Sequence, residues 1–295
     1  MNYRVTHTTE FVYEAKVGLC YNEARLLPRE LPYQKLLSSE LRIDPPPNDY
    51  YERFDYFGNR TVYFSTQQPH ERLEVTATSE VEVSPSTVLE QNSALSWESA
   101  RDQLRQGHNA QILEACQFIL DSPSVGVDEQ LAEYARPSFA PGRGLVEGVH
   151  DLMQRIFREF KYDPEFSTLA TPLKEVLEHR SGVCQDFAHL AIGCLRSQGL
   201  AARYVSGYIE TQPPPGKERL VGADASHAWF SVFVPDLGWL DFDPTNNQLP
   251  GEQHITLAWG RDFSDVTPLK GVAYGGGKHE LKVAVDVLRR DGNGR

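Results

Sequence analysis

The sequence predicts an α+β protein in which a β-sandwich domain precedes a domain of helices followed by strands. The chain has 295 residues, a length that suits one large or two ordinary domains. Residues 1–88 alternate between apolar and polar side chains and are rich in Thr, Val, Tyr and Phe, as strands are. Helical periodicity begins near residue 89, and strand-like alternation returns near residue 202. Helices followed by strands within one block are typical of an α+β domain.

Four stretches of the N-terminal region are predicted strands, and two short segments have the composition of turns. The strands are YRVTHTTEFVYE, ELRIDPPP, YYERFDYFGNRTVYFST and LEVTATSEVEVSP. The turns are FGNR and PPPND, where Gly, Pro, Asn and Asp interrupt the alternation. Several short strands separated by such turns favour a β-sandwich over residues 1–88.

Helices dominate the middle of the chain. SWESARDQLRQ and NAQILEACQFIL are predicted helices of a connecting region, residues 89–144. Residues 145–295 are predicted to form the core domain, which begins with the helix LVEGVHDLMQRIFREF. One helical stripe of this segment is apolar and consists of Val146, Val149, Leu152, Met153, Ile156 and Phe157. The helices TPLKEVLEHR and CQDFAHLAIGCLRSQGL follow, then the strands ARYVSGYIE, HAWFSVFV and GWLDFD, and finally a C-terminal strand, HELKVAVDVL.

Charge and cysteine content argue against several classes of function. The net charge is −12, whereas nucleic-acid-binding surfaces are basic and anionic membranes attract basic segments. We therefore expect neither a nucleic-acid nor a membrane partner. The first residues lack the pattern of a signal peptide, and the four cysteines are far apart, without a C-x-x-C pair. These features predict a protein of the reducing cytoplasm without a disulfide framework.

Cys184 is predicted to lie in the first turn of a buried helix. Apolar residues follow it at helical spacing, and Gly199 is suited to the C-terminal cap. These apolar residues are Phe187, Leu190, Ala191, Cys194 and Leu195. Unpaired backbone N–H groups and the positive end of the helix dipole both favour a thiolate, which is the nucleophilic form of cysteine. The alternative for Cys184 is a buried structural thiol, which is how we interpret Cys194.

A cysteine nucleophile requires a base, and the base requires an orienting group. His189 lies five residues from Cys184, about 140° around a helix, so its geometry is unsuitable. His227 begins an alternating strand and is the better candidate. A second antiparallel strand would bring Asp241 or Asp243 across from His227, but the sequence leaves the register between these strands open. A hydrogen-bonded core histidine is the alternative interpretation of His227.

Four segments in this order resemble the transglutaminase-like superfamily: RSGVCQDFAHL, GLAARYVSGYIE, HAWFSVFVPDLGW and LDFDPT. The resemblance implies a papain-like cysteine-proteinase fold with Cys184 as nucleophile, His227 as base and Asp243 as orienting group. It selects Asp243 because the family's aspartate directly precedes a Pro-Thr type pair. Tyr162 falls where the family carries an aromatic residue that helps to hold the oxyanion, although many transglutaminases have tryptophan there. The N-terminal β-region and the segment HITLAWGRDFSDVTPLKGVAYGG resemble parts of bacterial transglutaminase-like cysteine peptidases.

This resemblance implies an acyl-transfer enzyme that opens a peptide or isopeptide amide bond through a thioester. Transfer of the acyl group to water gives a cysteine peptidase or amidase, towards which bacterial relatives incline. Transfer to an amine gives a protein-glutamine transglutaminase, and a third alternative is a non-catalytic binding scaffold on the same fold. The expected partner is a peptide or protein substrate. We expect no metal or other cofactor, because Cys184 and His227 lack a third soft ligand nearby and no EF-hand loop is present.

Other polar residues near these motifs have structural and functional interpretations. Asp186 is expected to stabilise the start of the helix. Gln185 either contacts substrate or is a solvated side chain. Trp229 is a candidate site residue, and we expect its side chain to pack beside the site. Three charged residues in the segment GRDFSDV are expected to form an ion-pair cluster rather than to bind substrate: Arg261, Asp262 and Asp265.

Overall fold

The structure is a computed structural model of the chain. It describes residues 1–85, 95–166, 168, 171–210, 226–235 and 237–290. The N-terminal region folds into an antiparallel sheet, as its alternating pattern predicts. Its strands are β1 (Asn2–Ala24), β2 (Gln34–Asp44), β3 (Asp49–Phe54), β4 (Arg60–Thr66) and β5 (His70–Val83). The predicted FGNR turn joins β3 to β4, and its Gly58 has a φ of 72°, a conformation that glycine adopts without steric cost.

The long strand β1 belongs to both halves of this sheet. Its segment Asn2–Val12 pairs with β5, and its segment Cys20–Ala24 pairs with β4. The register with β5 shifts just after the first segment. Apolar residues from both halves pack into one cluster that includes Val17, Phe64 and Leu73. The β-rich N-terminal domain is therefore confirmed, and its two halves are parts of one sheet that share the strand β1.

Helices and one short strand pair follow the first sheet. They are α1 (Trp97–Gln106), α2 (Ala110–Cys116), α3 (Glu129–Ala135), α4 (Leu145–Glu159), β6 (Lys161–Tyr162), α5 (Leu173–His179), β7 (Ser181–Gly182) and α6 (Cys184–Ser197). Helix α6 is central, because residues of α3, α4, α5 and the second sheet all contact it. The apolar stripe predicted on α4 is buried from Val149 to Ile156, whereas Val146 is partly exposed and Phe157 is 46% exposed. The prediction was wrong for Phe157, whose side chain faces solvent although Ile156 before it and Phe160 after the helix are both buried.

The second sheet consists of antiparallel strands in the order β10-β9-β8-β11. Their bounds are β8 (Ala202–Ile209), β9 (Ser226–Val234), β10 (Gly238–Phe242) and β11 (His254–Gly260). Helix α6 packs against β8 and β9. The short helix α7 (Phe263–Val266) follows β11. This helix-on-sheet arrangement confirms the predicted α+β core.

The end of the chain returns to the first sheet. Strands β12 (Leu269–Gly275) and β13 (His279–Arg290) both pair antiparallel with β1. The predicted strand HELKVAVDVL, assigned to the core over residues 145–295, thus belongs to the first sheet, and β12 was not predicted. Alternation indicates that a segment is a strand, but it does not say which strand is its partner. The pairing of β13 with β1 spans almost the whole chain, so local pattern could not reveal it.

Two buried amide side chains join the N-terminal sheet to the second sheet. Gln34 donates to the carbonyl of Thr256 at 2.8 Å and accepts the N–H of the same residue at 2.8 Å. Asn59 donates to the carbonyl of Trp259 at 2.8 Å and accepts its N–H at 2.9 Å. Both amides therefore bond to the outer edge of β11 as a neighbouring strand would. In the part of the chain that the structure describes, no helix combines the length and the apolar character needed to span a membrane.

Candidate active site

Cys184 is the first residue of α6 and is partly exposed. The predicted stripe behind it is buried throughout, and Gly199 follows the helix with a φ of 76°, as expected for a C-terminal cap. The core therefore anchors α6 and presents its first turn at the surface. Backbone N–H groups in that turn have no partner within the helix, so Cys184 lies at the positive end of the helix dipole.

The start of α6 is held in place by a carboxylate and a close backbone approach. Asp186 accepts the N–H of Val183 at 2.8 Å. This interaction gives Asp186 the structural role that the sequence predicted, since it satisfies a backbone donor just before the helix. A Cβ on Gly182 would lie 2.9 Å from the Cβ of Asp186, so glycine is needed there for the strand and helix to approach.

The register of β9 and β10 brings His227 close to Asp243. Asp241 lies opposite Ser231 in the ladder, and continuing the same register brings Asp243 one diagonal step from His227. Nε2 of His227 lies 2.8 Å from Oδ2 of Asp243. Asp241 instead accepts a hydrogen bond from the hydroxyl of Ser231. Of the two carboxylates that the sequence left open, Asp243 is thus the one in contact with the histidine.

Asp243 is fully buried and accepts hydrogen bonds on both carboxylate oxygens. Oδ1 accepts the backbone N–H groups of Thr245 at 3.0 Å and Asn246 at 3.2 Å. Oδ2 accepts from Nδ2 of Asn246 at 2.8 Å and from two histidines, His227 and His254. Burial alone would raise the pKa of Asp243, but these donors and the nearby positive charge hold it well below its usual range. Asp243 is therefore ionised at neutral pH.

His227 is 7% exposed and is polarised from two sides. Burial lowers its pKa, but hydrogen bonding to Asp243 and Cys184 and the negative charge of both groups raise the pKa to about 10. Because Nε2 is bound to Asp243, Nδ1 is the ring nitrogen available to Cys184. Thiol, imidazole and carboxylate thus form one connected line, with the carboxylate deepest in the protein.

Tyr162 lies beside the thiol. It is the last residue of β6, which pairs in parallel with β7 so that Tyr162 is opposite Gly182, two residues before Cys184. Burial raises the pKa of Tyr162, and the negative charges of Cys184 and Asp186 raise it further. The side chain is 51% exposed, so its hydroxyl is accessible to a molecule bound at the thiol.

The other residues predicted near the site differ in their exposure. Gln185, next to the thiol in the first turn of α6, is partly exposed. Trp229 is fully buried, and its ring packs edge-on against His254 at 5.2 Å. Trp229 therefore forms part of the wall behind the site and offers no surface to a substrate. A Cβ on Gly207 would lie 2.5 Å from the Trp229 ring, which explains a glycine within β8.

The polar group near residue 262 is structural. Arg261 forms a two-point ion pair with Asp265, at 2.9 and 3.0 Å. Asp262 is buried and caps α7 by accepting the N–H of Ser264 at 2.8 Å. The ion-pair interpretation thus holds for two of the three predicted residues, whereas Asp262 is a helix cap. His189, whose spacing from Cys184 made it unsuitable as the base, is buried and accepts the N–H of Phe263 at 3.1 Å.

His254 is a site residue that sequence reasoning missed. It begins β11, and its Nε2 lies 3.2 Å from Oδ2 of Asp243. The sequence signal was the run HITLAWG, which alternates weakly and was not assigned as a strand. Donor atoms of His227, Asp243 and His254 all lie within 4.8 Å of one another, close enough for a metal ion. Both histidine Nε2 atoms are used in hydrogen bonds to the carboxylate, so a metal would have to displace these bonds.

Two family models match the chain. The model described as the bacterial transglutaminase-like N-terminal region matches residues 3–82. The model described as the transglutaminase-like superfamily matches residues 132–244. The second match spans Cys184, His227 and Asp243 and ends one residue after the carboxylate.

Individual relatives agree with these matches. An uncharacterized protein of Mycobacterium tuberculosis is 43% identical over 299 residues, covering 99% of this chain and 94% of the relative. The protein-glutamine gamma-glutamyltransferase of Pseudomonas aeruginosa is 32% identical over 172 residues, covering 54% of this chain and 25% of that protein. A Cytophaga hutchinsonii protein, named as a candidate cysteine protease, has a crystal structure that superposes with a TM-score of 0.75. Its sequence identity is 18%, and the match covers 99% of this chain and 92% of that one, so the likeness shows a shared fold.

Proposed function

Because the chain belongs to the transglutaminase-like superfamily, we propose that it is a thiol-dependent acyl-transfer enzyme acting on peptide or isopeptide amide bonds. Cys184 is the nucleophile, His227 the acid and base, and Asp243 the orienting carboxylate. Hydrolysis is the main reaction. The observation that carries the proposal is the connected line of these side chains, which starts at a helix N-terminus and ends in a buried, fully hydrogen-bonded carboxylate.

The first half of the reaction forms a thioester. The Cys184 thiolate attacks the amide carbonyl carbon, and the carbonyl oxygen becomes an oxyanion. Backbone N–H groups at the start of α6 and the Tyr162 hydroxyl donate hydrogen bonds to that oxygen. His227 then gives the proton on Nδ1 to the amide nitrogen. The carbon–nitrogen bond breaks, the amine or ammonia leaves, and a thioester at Cys184 remains.

The second half returns the enzyme to its starting state. Water attacks the thioester carbon while His227 accepts one proton from it, and the carbon–sulfur bond breaks. The products are a carboxylic acid and the regenerated pair of thiolate and imidazolium. Asp243 keeps the proton of His227 Nε2 in place throughout, which leaves Nδ1 free to exchange a proton with the reacting groups.

Transfer of the acyl group to an amine is the second candidate function. The observation in its favour is the similarity to the Pseudomonas aeruginosa protein-glutamine gamma-glutamyltransferase over 172 residues. The same thioester serves both reactions, and the acceptor determines the product. We favour hydrolysis because Cys184 is partly exposed and Tyr162 half-exposed, so water has access to the thioester.

One experiment separates these outcomes. The protein is incubated with a library of glutamine- and lysine-containing peptides and a biotin-labelled primary amine, and the products are identified by mass spectrometry. Hydrolysis produces cleaved or deamidated peptides, whereas transamidation produces peptides that carry the amine. Cys184→Ala should abolish both. Cys116→Ala is the matched control, because Cys116 is also partly exposed but its thiol donates to the carbonyl of Leu104 in the helical region.

A binding scaffold without catalysis predicts a different result. Alkylation by iodoacetamide, mapped by peptide mass, should be much faster at Cys184 than at Cys116 if the thiol is activated. Equal rates at the two cysteines, together with a library screen in which wild type and Cys184→Ala give the same products, would contradict the enzyme proposal and favour the scaffold.

A further inference from the structure

His254 contacts the same carboxylate oxygen as the proposed catalytic base. Its Nε2 lies 3.2 Å from Oδ2 of Asp243, and Nε2 of His227 lies 2.8 Å from that oxygen. The two histidines come from different strands of the second sheet, β9 and β11. Since His254 is 4% exposed and Asp243 is fully buried, water does not compete for this hydrogen bond.

The orientation of the His254 ring is set on both sides. The backbone N–H of Gly251 points to Nδ1 at 3.4 Å, so Nδ1 is the acceptor and Nε2 carries a proton. That proton is donated to Asp243. The Trp229 ring packs against His254 at 5.2 Å with an interplanar angle of 83°, and against His227 at 6.0 Å. The two imidazole rings are also 6.1 Å apart, tilted by 47°, so Trp229 packs against both rings while their Nε2 atoms converge on the carboxylate.

We propose that His254 is a positioning residue of the active site: it fixes Oδ2 of Asp243 so that this oxygen holds the Nε2 proton of His227. This inference rests on the proposed function, because it assigns His254 a role in the same proton transfers. His254 touches neither the thiol nor the acyl group. It acts on the reaction through the direction of the Asp243 carboxylate.

The arrangement of donors around Asp243 explains why a further donor matters. Backbone N–H groups hold Oδ1, whereas Oδ2 is held by side chains: Nδ2 of Asn246 and the two histidines. Nδ2 of Asn246 lies 3.3 Å from Nε2 of His227 and 2.8 Å from Oδ2 of Asp243. Because this amide contacts both groups from one side, it does not by itself fix the direction of Oδ2 relative to His227. His254 approaches from a separate strand and closes the remaining side of Oδ2. A change in His254 therefore frees Oδ2 to tilt away from His227.

A core histidine that merely satisfies its own hydrogen bonds would have different consequences. Its loss would lower the stability of the protein, but the folded fraction would turn over substrate normally. The positioning role predicts a loss in kcat for the folded protein, with little change in KM, because substrate does not contact His254. It also predicts rescue by a side chain that restores a donor to Oδ2.

The positioning role of His254 is tested with two substitutions at His254 and one control substitution at His7. His254→Leu removes the donor while keeping a bulky side chain, and His254→Gln replaces it with an amide N–H. His7→Leu is the matched control: His7 is also a buried, hydrogen-bonded histidine, but its partners are Tyr208 and Thr9. We expect His254→Leu to lower kcat by roughly 10- to 100-fold, the range for losing a hydrogen bond to a charged group. His254→Gln should recover most of this loss, and His7→Leu should leave kcat unchanged for the folded fraction.

A second measurement does not depend on turnover. The titration of the His227 ring is followed by nitrogen-15 NMR in wild type, His254→Leu and His254→Gln. The hydrogen bond to Asp243 contributes to the raised pKa of His227. If His254 aligns that bond, the His227 titration moves to lower pH in His254→Leu and returns towards wild type in His254→Gln.

The outcomes separate this inference from the proposed function. An unchanged His227 titration in His254→Leu overturns the positioning role, whether or not a substrate has been found. Equal kcat losses in His254→Leu and His254→Gln, or a similar loss in His7→Leu, would also overturn it. Turnover by Cys184→Ala equal to wild type would instead contradict the proposed function. In that case a shifted His227 titration would still support the contact between His254 and the Asp243–His227 pair.

Discussion

Replacing Asp243 with asparagine is expected to lower kcat/KM by about 10³- to 10⁴-fold, because the new amide cannot be oriented to suit His227. Oδ1 of Asp243 accepts two backbone N–H groups, from Thr245 and Asn246. The amide oxygen of an asparagine must occupy this side to satisfy them. Its NH2 group then replaces Oδ2, where the native carboxylate accepts hydrogen bonds from side chains, including that of His227.

An NH2 group at Oδ2 reverses the hydrogen bond to His227. The amide becomes the donor, so Nε2 of His227 becomes the acceptor and the ring proton moves to Nδ1. A neutral ring with its proton on Nδ1 cannot accept a proton from the Cys184 thiol or from the attacking water. The imidazolium also loses the negative charge that contributes to its pKa of about 10. In serine triads the corresponding Asp→Asn change lowers kcat by roughly 10⁴-fold, because the histidine then carries its proton on the wrong ring nitrogen.

The assay compares kcat/KM for Asp243→Asn and Asp241→Asn on one peptide from the library screen, with circular dichroism as a check of folding. Asp241 is the matched control, since it lies in β10 only two residues before Asp243 but accepts from the hydroxyl of Ser231. We expect Asp241→Asn to lose less than about tenfold. A value for Asp243→Asn above a tenth of wild type, or an equal loss in both variants, would refute the assignment of Asp243 and the argument from its two oxygens.

Three further predictions concern pH and stability. The pKa of His227 is raised to about 10, so kcat/KM should stay constant around neutral pH and fall as the pH rises through about 10. Above that pH, His227 has lost the proton that it gives to the leaving amine. A decline in kcat/KM near pH 6.5 would contradict this prediction. Burial lowers the pKa of His7 from 6.5 to about 4, so the folded state loses stability as the pH falls from about 6.5 to 4. In urea unfolding, the free energy of unfolding that is lost over this pH range should be smaller in His7→Leu than in wild type, by up to about 3 kcal/mol. Gln34→Ala should lower the free energy of unfolding by about 2 kcal/mol, because it leaves the buried N–H of Thr256 unpaired and leaves the Thr256 carbonyl with only the N–H of Arg29 at 3.3 Å. A change below about 0.5 kcal/mol would show that water replaces the amide.

The position of Cys184 could be predicted because a helix is defined by local spacing. The stripe from Phe187 to Leu195 and the glycine at position 199 fixed where α6 begins and ends, and the structure has both. The same reasoning failed at Phe157, because spacing alone does not show how far around α4 the core extends: Phe157 is exposed while Ile156 and Phe160 are buried. Strand character in the N-terminal region was equally local, since alternation marks a half-buried strand regardless of its partner.

The rest of the site depends on contacts between distant segments. The choice between Asp241 and Asp243 required the register of β9 and β10, which hydrophobic pattern alone did not determine. His254 was missed because it reaches Asp243 from the far edge of the sheet, through the pairing of β11 with β8. A lone histidine at the start of a weakly alternating segment carries no local sign of this contact. Family resemblance supplied Asp243, but it did not supply His254.

The position of β11 also gives the N-terminal domain a physical role in the site. Among the described strands β11 lies at one end of the second sheet, so its outer backbone groups have no strand partner there. Unpaired buried backbone groups are costly, and here the amides of Gln34 and Asn59 satisfy those of Thr256 and Trp259. His254 begins this same strand, two residues before the Gln34 contact. The chain after α7 then returns to β1 as β12 and β13, so the first sheet holds β11 by side chains and by chain connection. The N-terminal sheet is therefore part of the support for the Asp243 carboxylate, and a core domain without it would leave the edge of β11 exposed beside the site.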